Sequence, residues 1–355
     1  MARPIVSVLI DTYNHERFIE RAILSVLEQD FPASGREILV VDDGSQDRTP
    51  EIAARFAPQV RLIRKANGGQ ASAFNAGIPE CQGEIVAFLD GDDWWASTKL
   101  TRVVQAMTVD PAIGIVGHGI VSMHRDGSKL TETLREGFRF QANTMAGARL
   151  FSRRGSFMGT SRMTIRAALL QKIGPVPEEI KIQADEYLFT LASALSVMEI
   201  LPEALTYYRL HGANIFQFAS NDPKKLRHKQ KSLAILARSL FEKLASYGID
   251  PHVSQVIVAY AQTSADQLRL MLDGGWSWET VGTEWKLYGI VHPDAGFSQR
   301  LFKVATLAGA LLVPPTTYYK VRQTVAQSSS YVRLRQRWLP IPHMKHVKTE
   351  EQKRS

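Results

Sequence analysis

Four short apolar runs in the first hundred residues alternate with segments that have the spacing of amphipathic helices. These runs are Ile5–Ile10, Ile38–Val41, Val60–Ile63 and Ile85–Leu89. Strands that are apolar along their whole length and alternate with helices are typical of a parallel sheet with helices on both faces. We therefore predict an α/β fold with a mostly parallel sheet. Because the pattern becomes mostly helical after about residue 221, we also predict a mainly helical C-terminal region.

Aspartates follow three of the four predicted strands. Asp11 follows the first strand, Asp42 and Asp43 follow the second, and the segment Asp90-Gly91-Asp92-Asp93 follows the fourth. Ligands of such open sheets bind beyond the carboxyl ends of the strands, so we expect these carboxylates to surround one ligand site. Closely spaced carboxylates repel one another unless a cation or hydrogen bonds compensate, and their oxygens suit Mg²⁺ or Mn²⁺. The alternative is a set of acidic turns that cap the following helices.

Two loops next to these strand ends have residues that suit a nucleotide. The segment Asp42-Asp43-Gly44-Ser45 could accept hydrogen bonds from a base or a ribose, or it could simply be a turn. The segment Asn67-Gly68-Gly69-Gln70 leads into a helix, and its backbone N–H groups could meet an anion. The chain has neither a G-x-G-x-x-G pattern nor a P-loop lysine, which argues against a dinucleotide-binding or P-loop protein.

The middle of the chain supplies three further candidates. Asp185 stands at the start of a predicted helix and is the best candidate for a general base, although the helix dipole favours a carboxylate there in any case. His211 could bind a metal or a phosphate, and Arg209 could neutralise a diphosphate. The alternative for both is an ordinary side chain at the edge of a sheet.

The positive charge of the chain is concentrated at its C-terminal end. The whole chain has a net charge of +8, but from Arg300 to Ser355 there are 11 basic and two acidic residues, which leaves 32 basic and 33 acidic side chains in the first 299 residues. The neutral remainder does not suit the backbone of a nucleic acid, which we do not expect as a partner. The single cysteine, Cys81, excludes an internal disulfide and a multi-cysteine zinc site. The N-terminus lacks the pattern of a secretory signal, so we expect a cytoplasmic protein.

Taken in order, these segments resemble the motifs of the family 2 glycosyltransferases, which have the GT-A fold. The matching segments are Val6–Asn14, Val40–Asp47, Asn67–Gly77 and Phe88–Trp94, the last of which is similar to the DxD motif of the family. The resemblance covers residues 4–215 and is most specific from 4 to 100. It implies a Rossmann-like sheet and an enzyme that transfers a sugar, with inversion, from a nucleotide-diphosphate donor to a hydroxyl of a glycan or lipid-linked acceptor. A UDP-sugar is the favoured donor.

The resemblance and the residue types together define a candidate site. Asp185 is the candidate base with Glu186 as its alternative, and Asp92 and His211 are the candidate ligands of Mg²⁺ or Mn²⁺. The candidate donor-binding residues are Thr12, Tyr13, Asn14, Asp42, Asp43, Asn67, Gly69, Gln70, Asp90, Gly91 and Arg209.

The sequence departs from the family pattern at two of these places. The family usually has Pro or Ser where Asp11 stands, which leaves the role of Asp11 open. Its catalytic segment is often Glu-Asp, whereas this chain has Ala184-Asp185-Glu186. Two other functions stay open. One is a catalytically silent module that binds sugar nucleotides, and the other is a sugar nucleotidyltransferase, whose usual Gly-rich, Arg-containing start is missing here.

The predicted domains are a glycosyltransferase domain over residues 1–220, a helical region over 221–319 and a basic tail over 320–355. The apolar segment Leu301–Val313 is too short to span a bilayer, which needs about 20 residues. It is either a buried core helix or a helix at a membrane surface, where the nearby aromatic and basic residues would suit anionic lipid. The second alternative places the protein at the cytoplasmic face of the membrane. The aromatic and basic residues concerned are Tyr318, Tyr319, Tyr331, Arg333, Arg335, Arg337, Trp338 and Lys345.

Overall fold

The computed structural model describes residues 4–124, 126–154, 158–211, 222–327 and 344–348. The chain divides into two compact units. The sheet unit comprises Met1–Gln141, Phe157–Asn214 and His343–Ser355, and the helical unit comprises Ala142–Ser156 and Ile215–Pro342. The domain boundaries drawn from the sequence stay a prediction. The sequence pattern did not indicate that a segment before residue 157 belongs with the C-terminal helices.

Strands and helices alternate along the first hundred residues, as the apolar runs predict. They are β1 (Val6–Thr12), α1 (Ile19–Leu27), β2 (Arg36–Asp42), α2 (Thr49–Ala54), β3 (Arg61–Arg64), α3 (Gln70–Gly77), β4 (Ile85–Asp90), β5 (Trp94–Trp95) and α4 (Lys99–Val109). The chain continues with β6 (Ile113–Met123), β7 (Lys129–Leu134), β8 (Phe138–Phe140), α5 (Met145–Arg154), β9 (Thr164–Arg166), α6 (Ala167–Ile173), α7 (Ala184–Leu195) and β10 (Val197–Arg209). The last elements are α8 (Pro223–Ser246), α9 (Pro251–Asp273), α10 (Trp278–Val291), α11 (Phe297–Leu312), α12 (Pro315–Gln327) and β11 (Met344–Lys348). Short 3₁₀ helices cover Ala33–Gly35, Ile78–Glu80 and Thr160–Arg162.

The sheet has the order β11-β7-β6-β9-β4-β1-β2-β3. Strands β3, β2, β1 and β4 are mutually parallel, and β10 runs parallel to β6. Strand β9 is antiparallel to both β4 and β6, and it joins the parallel part of the sheet to the strands that follow. The α/β fold predicted from the alternating runs is confirmed.

The core of the sheet unit lies where helices cover the parallel strands. In β1 and β4, residues that point to either face are buried up to the strand ends, which explains why these strands are mostly apolar before their final polar residues. Helix α1 contributes its apolar face, with Ile19, Ile23 and Val26 completely buried. This packing holds the carboxyl ends of β1, β2 and β4 in fixed register, and the polar residues that follow these strands are fixed with them.

The helical unit has its own small core, formed by Leu226, Leu270, Met271, Ala310 and Tyr319. No helix of the described residues is long and apolar enough to cross a membrane. Helix α11 buries Leu307 and Ala310 and exposes much of its opposite face, so the predicted core helix is buried on one side only. Residues 328–343 lie outside the described residues, and with them most of the aromatic and basic positions of the predicted tail.

Candidate active site

The register of the parallel strands brings three aspartates to one edge of the sheet. Asp11 lies opposite Asp90 across β1 and β4, and Thr12 lies opposite Asp42 across β1 and β2. Backbone hydrogen bonds continue this alignment past the strand ends, with the Gly91 N–H donating to the carbonyl of Asp11 at 2.9 Å. The predicted cluster of strand-end carboxylates is therefore present.

The three acids of the Asp90-Gly91-Asp92-Asp93 segment have different surroundings. A carboxylate oxygen from each can lie within 4.8 Å of the others. The buried Asp93 accepts hydrogen bonds from the Ser161 hydroxyl at 2.6 Å and the Arg209 N–H at 3.0 Å. Burial and the neighbouring Asp92 raise its pKa well above the usual value. Both oxygens of Asp93 are thus engaged with protein, which leaves Asp90 and Asp92 as the better candidates for contact with a ligand.

Asp92 is the acid of this segment that is held as an anion. Its Oδ2 lies 2.8 Å from His211 Nε2 and 3.9 Å from His15 Nε2. Burial alone would raise the pKa of Asp92, but the hydrogen bond to His211 and the electrostatic interaction with His15 outweigh it and lower the pKa. The clustered carboxylate oxygens of Asp90 and Asp92 are of the type that Mg²⁺ and Mn²⁺ accept, so these residues fit a divalent cation. His211 Nε2 could join them only by giving up its hydrogen bond to Asp92.

Asp11 belongs to the same cluster, although the sequence left its role open. Burial, followed by repulsion from Asp185 and Asp92, raises its pKa to about 8. Its Oδ1 atom is buried and has no hydrogen-bond partner among the described residues. Asp90 is affected in the same way, since burial and repulsion from Asp11 raise its pKa well above the usual range. These two acids therefore share a site that does not hold two full negative charges without compensation.

Asp185 lies in the first turn of α7 and faces this cluster. Its Oδ2 accepts a hydrogen bond from the Thr160 N–H at 3.0 Å, and its Oδ1 accepts one from the Glu186 N–H at 2.8 Å. Burial is the main cause of a pKa raised to about 6. A carboxyl group with a pKa close to neutrality and backbone bonds that fix its orientation is suited to a general base.

The alternative base, Glu186, has a different environment. It is 4% exposed, and its Oε2 accepts a hydrogen bond from the Gln183 amide at 2.9 Å. Asp185 is among the acids whose repulsion raises the pKa values of Asp11 and Asp90. The choice of Asp185 over Glu186 as the base stays a prediction.

The start of α7 is fixed to the glycine-rich loop by Gln70. The Gln70 amide donates to Thr160 Oγ1 at 2.9 Å, and its oxygen accepts from the Ala184 N–H at 3.1 Å. Gln70 therefore connects the two segments that hold Asp185, Thr160 on one side and the helix start on the other. This contact gives the predicted donor-binding residue Gln70 a positioning function.

Asp43 organises the glycine-rich loop. Its carboxylate accepts hydrogen bonds from the N–H groups of Gly68 and Gly69, the latter at 2.7 Å, and it lies 2.7 Å from the ammonium group of Lys65. Gly69 has a φ of 87°, a left-handed conformation that favours glycine. Asp43 therefore stabilises a loop conformation, and its predicted contact with the donor stays a prediction.

Of the remaining candidate residues at the ends of β1 and β2, some hold the neighbouring loops in place and others are exposed at the surface. Asp42 is fully buried and accepts from the Ser45 N–H at 3.3 Å, so it shapes the turn after β2. The Asn14 side chain accepts from the Gln46 N–H at 2.8 Å and joins the two loops. Thr12 is buried, with its hydroxyl 3.2 Å from His15 Nδ1, whereas Tyr13 and Asn67 are exposed at the surface. Gly91 lies so close to Thr12 that a Cβ atom would come within 2.5 Å of its hydroxyl.

Arg209 lies between two aromatic rings. Its guanidinium carbon is 4.9 Å from the centroid of the Phe18 ring and 4.5 Å from that of Trp94, and its Nε donates to the Asp92 carbonyl at 3.0 Å. Contacts of this kind hold the guanidinium group by its two faces. Trp94 in turn stacks on Tyr207, with ring centroids 5.1 Å apart.

Ser161 bonds to both Asp90 and Asp93 and was missed by the sequence analysis. Its hydroxyl donates to Asp93 and accepts from the Asp90 N–H at 3.1 Å. Its carbonyl accepts hydrogen bonds from Trp95, the buried Lys99 and Thr206. Nothing in the residues around position 161 distinguishes this serine from a loop serine, because its partners are 45 to 71 positions away in the chain.

Comparison with known sequences places the chain among glycosyltransferases. The sequence model "Glycosyl transferase family 2" matches residues 7–171. An uncharacterised glycosyltransferase of Nostoc sp. is 33% identical over 241 residues, which cover 64% of this chain and 71% of that protein. The glycosyltransferase AglE of Haloferax volcanii is 30% identical over 181 residues, which cover 50% of this chain and 57% of the relative.

Solved structures show the same fold. Residues 1–349 of S. aureus TarS superpose with a TM-score of 0.57 at 19% identity, covering 93% of this chain and 91% of that one. The mannosyltransferase PcManGT of Pyrobaculum calidifontis, solved in complex with GDP-Man and Mn²⁺, has a TM-score of 0.52 at 19% identity and covers 96% of this chain and 86% of its own. The two structures show the fold, and given the family model and the Nostoc relative, the chain belongs to glycosyl transferase family 2 and is a glycosyltransferase with the GT-A fold.

Proposed function

We propose that this enzyme transfers a sugar, with inversion, from a nucleotide-diphosphate donor to a hydroxyl group of a glycan or lipid-linked acceptor. The observation that carries the proposal is the position of Asp185, whose carboxyl group is close enough to Asp11 and Asp90 at the strand ends to raise the pKa of both. A candidate base thus faces the candidate site of the diphosphate, as a displacement at the anomeric carbon between them requires.

The chemistry then divides among the residues of the site. Asp185 accepts the proton of the acceptor hydroxyl as its oxygen forms a bond to the anomeric carbon. The bond from that carbon to the diphosphate oxygen breaks on the opposite face, so the configuration inverts and the nucleoside diphosphate leaves with the electron pair. Arg209, next to the backbone of Asp92, is placed to interact with the charge on the diphosphate. A divalent cation held by Asp92, Asp90 and His211 would supply further stabilisation of that charge.

Structural neighbours support the nature of the donor. A structure of TarS was solved in complex with UDP-GlcNAc, and one of PcManGT with GDP-Man and Mn²⁺. We propose a UDP-sugar as the donor and Mg²⁺ or Mn²⁺ as the cofactor. A lipid-linked acceptor would place the enzyme at the cytoplasmic face of a membrane. A silent binding module would have no need of a buried base with a pKa of about 6 at this position, which favours a catalytic protein.

A panel of nucleotide sugars tests this function. The full chain would be incubated with UDP-glucose, UDP-GlcNAc and GDP-mannose, in Mn²⁺ and in excess chelator, and both the unfolding midpoint and the released nucleoside diphosphate would be measured. We expect one donor to raise the midpoint and to be hydrolysed slowly, with both effects lost in chelator. Failure of every donor to bind or react in Mn²⁺ would contradict the proposal. Release of inorganic diphosphate from a nucleoside triphosphate and a sugar phosphate would instead identify a nucleotidyltransferase.

A further inference from the structure

Helix α11 of the helical unit has a continuous apolar face that is largely exposed among the described residues. It consists of Phe297, Leu301, Val304, Ala308 and Leu312, here called the α11 stripe. The spacing of four, three, four and four residues keeps these side chains on one side of the helix. Phe297 and Leu312 are each 83% exposed, Leu301 is 57% exposed and Val304 is 45% exposed.

The other side of α11 is the one that packs within the helical unit. Leu307 and Ala310 are buried there, and Ser277 donates a hydrogen bond to the Ala310 carbonyl at 2.6 Å. Lys303, on the same side, pairs with the buried Glu284 at 2.9 Å. The helix is therefore apolar on two faces, and only one of them packs into the interior of the helical unit. An exposed apolar face of this length usually marks a contact with a partner.

The surroundings of the α11 stripe indicate an anionic partner. The segment from Phe297 to Gln327, which contains α11 and α12, has four basic residues and no acidic residue. Arg300 and Lys320 are exposed, while the other two cations pair with Glu284. The residues from 328 to 355 add seven basic and two acidic residues in sequence. In the preceding helix, α10, Trp278 is 64% and Trp285 45% exposed, and such amphipathic rings are common at membrane interfaces.

We propose that the α11 stripe inserts into the surface of a membrane that contains anionic phospholipid. The helix is 16 residues long, about 24 Å, and would lie parallel to the membrane plane, with its stripe among the acyl chains and its cations at the head groups. A symmetric contact with a second copy is less favourable, because it would bring Arg300 and Lys320 close to like charges with no acid on these helices to pair with them. The apolar stripe and its charges carry the inference, which therefore does not depend on the proposed function, although a lipid-linked acceptor would agree with it.

Vesicle binding by the full chain tests the inference. The probe is a vesicle of 70% phosphatidylcholine and 30% phosphatidylglycerol, compared with pure phosphatidylcholine, and the measurement is cosedimentation at low and moderate salt. The test variant is Leu301→Gln with Val304→Gln, which leaves the net charge unchanged. Removing a half-exposed aliphatic side chain from lipid weakens partitioning by about fivefold, so we expect about 25-fold weaker binding of the double variant.

Val109→Gln is the matched control, because Val109 is 75% exposed on α4 in the other unit. This variant should bind vesicles like the unmodified chain, and all three proteins should unfold at the same temperature. If the double variant unfolds early, Phe297→Gln with Leu312→Gln replaces it, because both side chains are almost free of contacts. Unchanged vesicle binding by a folded stripe variant would overturn the inference.

Two further outcomes are decisive. If the unmodified chain does not bind anionic vesicles but forms a dimer that the stripe variant loses in sedimentation velocity, the stripe is a self-association surface and the inference is wrong. If vesicle binding depends on the stripe while no nucleotide sugar binds the protein, the inference stands and the proposed function fails. Donor binding by the stripe variant, measured as a shift of the unfolding midpoint, should equal that of the unmodified chain.

Discussion

Substitution of Asp185 by asparagine removes the ability of this side chain to take a proton but largely keeps its shape and its position in the fold. Asparagine has nearly the same shape, and its side-chain oxygen can still accept one of the two backbone hydrogen bonds, from Thr160 or from Glu186, that hold the aspartate. It cannot take a proton from an acceptor hydroxyl. Loss of a general base typically lowers the rate by about 10²- to 10⁴-fold, and we expect an effect of this size on transfer.

The pH dependence of the transfer rate tests whether Asp185 is the base. With a pKa raised to about 6, Asp185 is protonated and inactive below that pH and ionised above it. The rate of the unmodified enzyme should therefore fall about tenfold per pH unit below pH 6 and level off above it, and the asparagine variant should lose this acidic limb. Single-turnover transfer between pH 5 and 8 measures both effects. Turnover near that of the unmodified enzyme, or an unchanged acidic limb, would refute the assignment of the base.

The same substitution should stabilise the protein. A pKa that rises from 3.8 to about 6 on folding means that the folded state holds a proton more tightly than the unfolded chain. The folded state therefore loses stability as the pH rises through this window, by about 3 kcal/mol once both states are ionised, at 1.36 kcal/mol per pKa unit. Chemical denaturation should show Asp185→Asn to be more stable than the unmodified chain at pH 7 by up to about this amount, with the difference absent near pH 3.5. Glu186→Gln, one residue away and paired with Gln183, is the matched control and should keep the acidic limb of the rate.

Three further substitutions test the rest of the structure. Asp92→Ala should weaken donor binding in Mn²⁺ by about tenfold or more if Asp92, which contacts His211, binds the cation. Calorimetric titration measures this, and full donor affinity of the variant in Mn²⁺, or of the unmodified chain in chelator, would contradict this role. Ser161→Ala should destabilise the chain by about 1–3 kcal/mol, because it leaves groups of Asp90 and Asp93 without their partner, whereas Ser246→Ala at an exposed helix position should change the unfolding free energy little. Glu284→Gln leaves two cations unpaired and should cost about 3–5 kcal/mol in denaturant unfolding near pH 7. Since its two cations lower the pKa of Glu284 more than burial raises it, the cost should shrink as the pH falls through that pKa.

The parallel strands and the acids at their ends could be predicted because their signals are local. The runs that form β1 and β4 are buried on both faces, so their composition reports the fold directly, and an aspartate that follows such a run lies at the ligand edge. The pattern of Leu205–Leu210 likewise indicates a strand before His211, and the structure has one there, although β10 begins at Val197 and is much longer.

What each polar group binds could not be predicted in the same way. Asp43 and Asp92 both follow apolar strands, yet the first bonds to the backbone of a loop and the second to a histidine 119 residues away. Lys99 opens a helix and would be expected at the surface, but it is fully buried, with its ammonium group 3.4 Å from the centroid of the Trp95 ring. Such contacts depend on where distant segments meet, and the residue types alone do not encode that.

The clustered acids have different surroundings. One carboxylate of the site is therefore suited to bind a cation, while another is suited to take a proton from an acceptor hydroxyl. Burial and mutual repulsion raise the pKa values of Asp11 and Asp90, whereas contact with His211 lowers that of Asp92. The pKa of Asp185 lies between these extremes, because hydrogen bonds from backbone N–H groups lower it and partly offset the effect of burial. Acids whose pKa values are pushed apart in this way can divide the work of ligand binding and proton transfer at a single pH. Removing Asp11 should therefore make Asp90 easier to ionise, which shifts charge within the cluster without altering the bonds that fix Asp185.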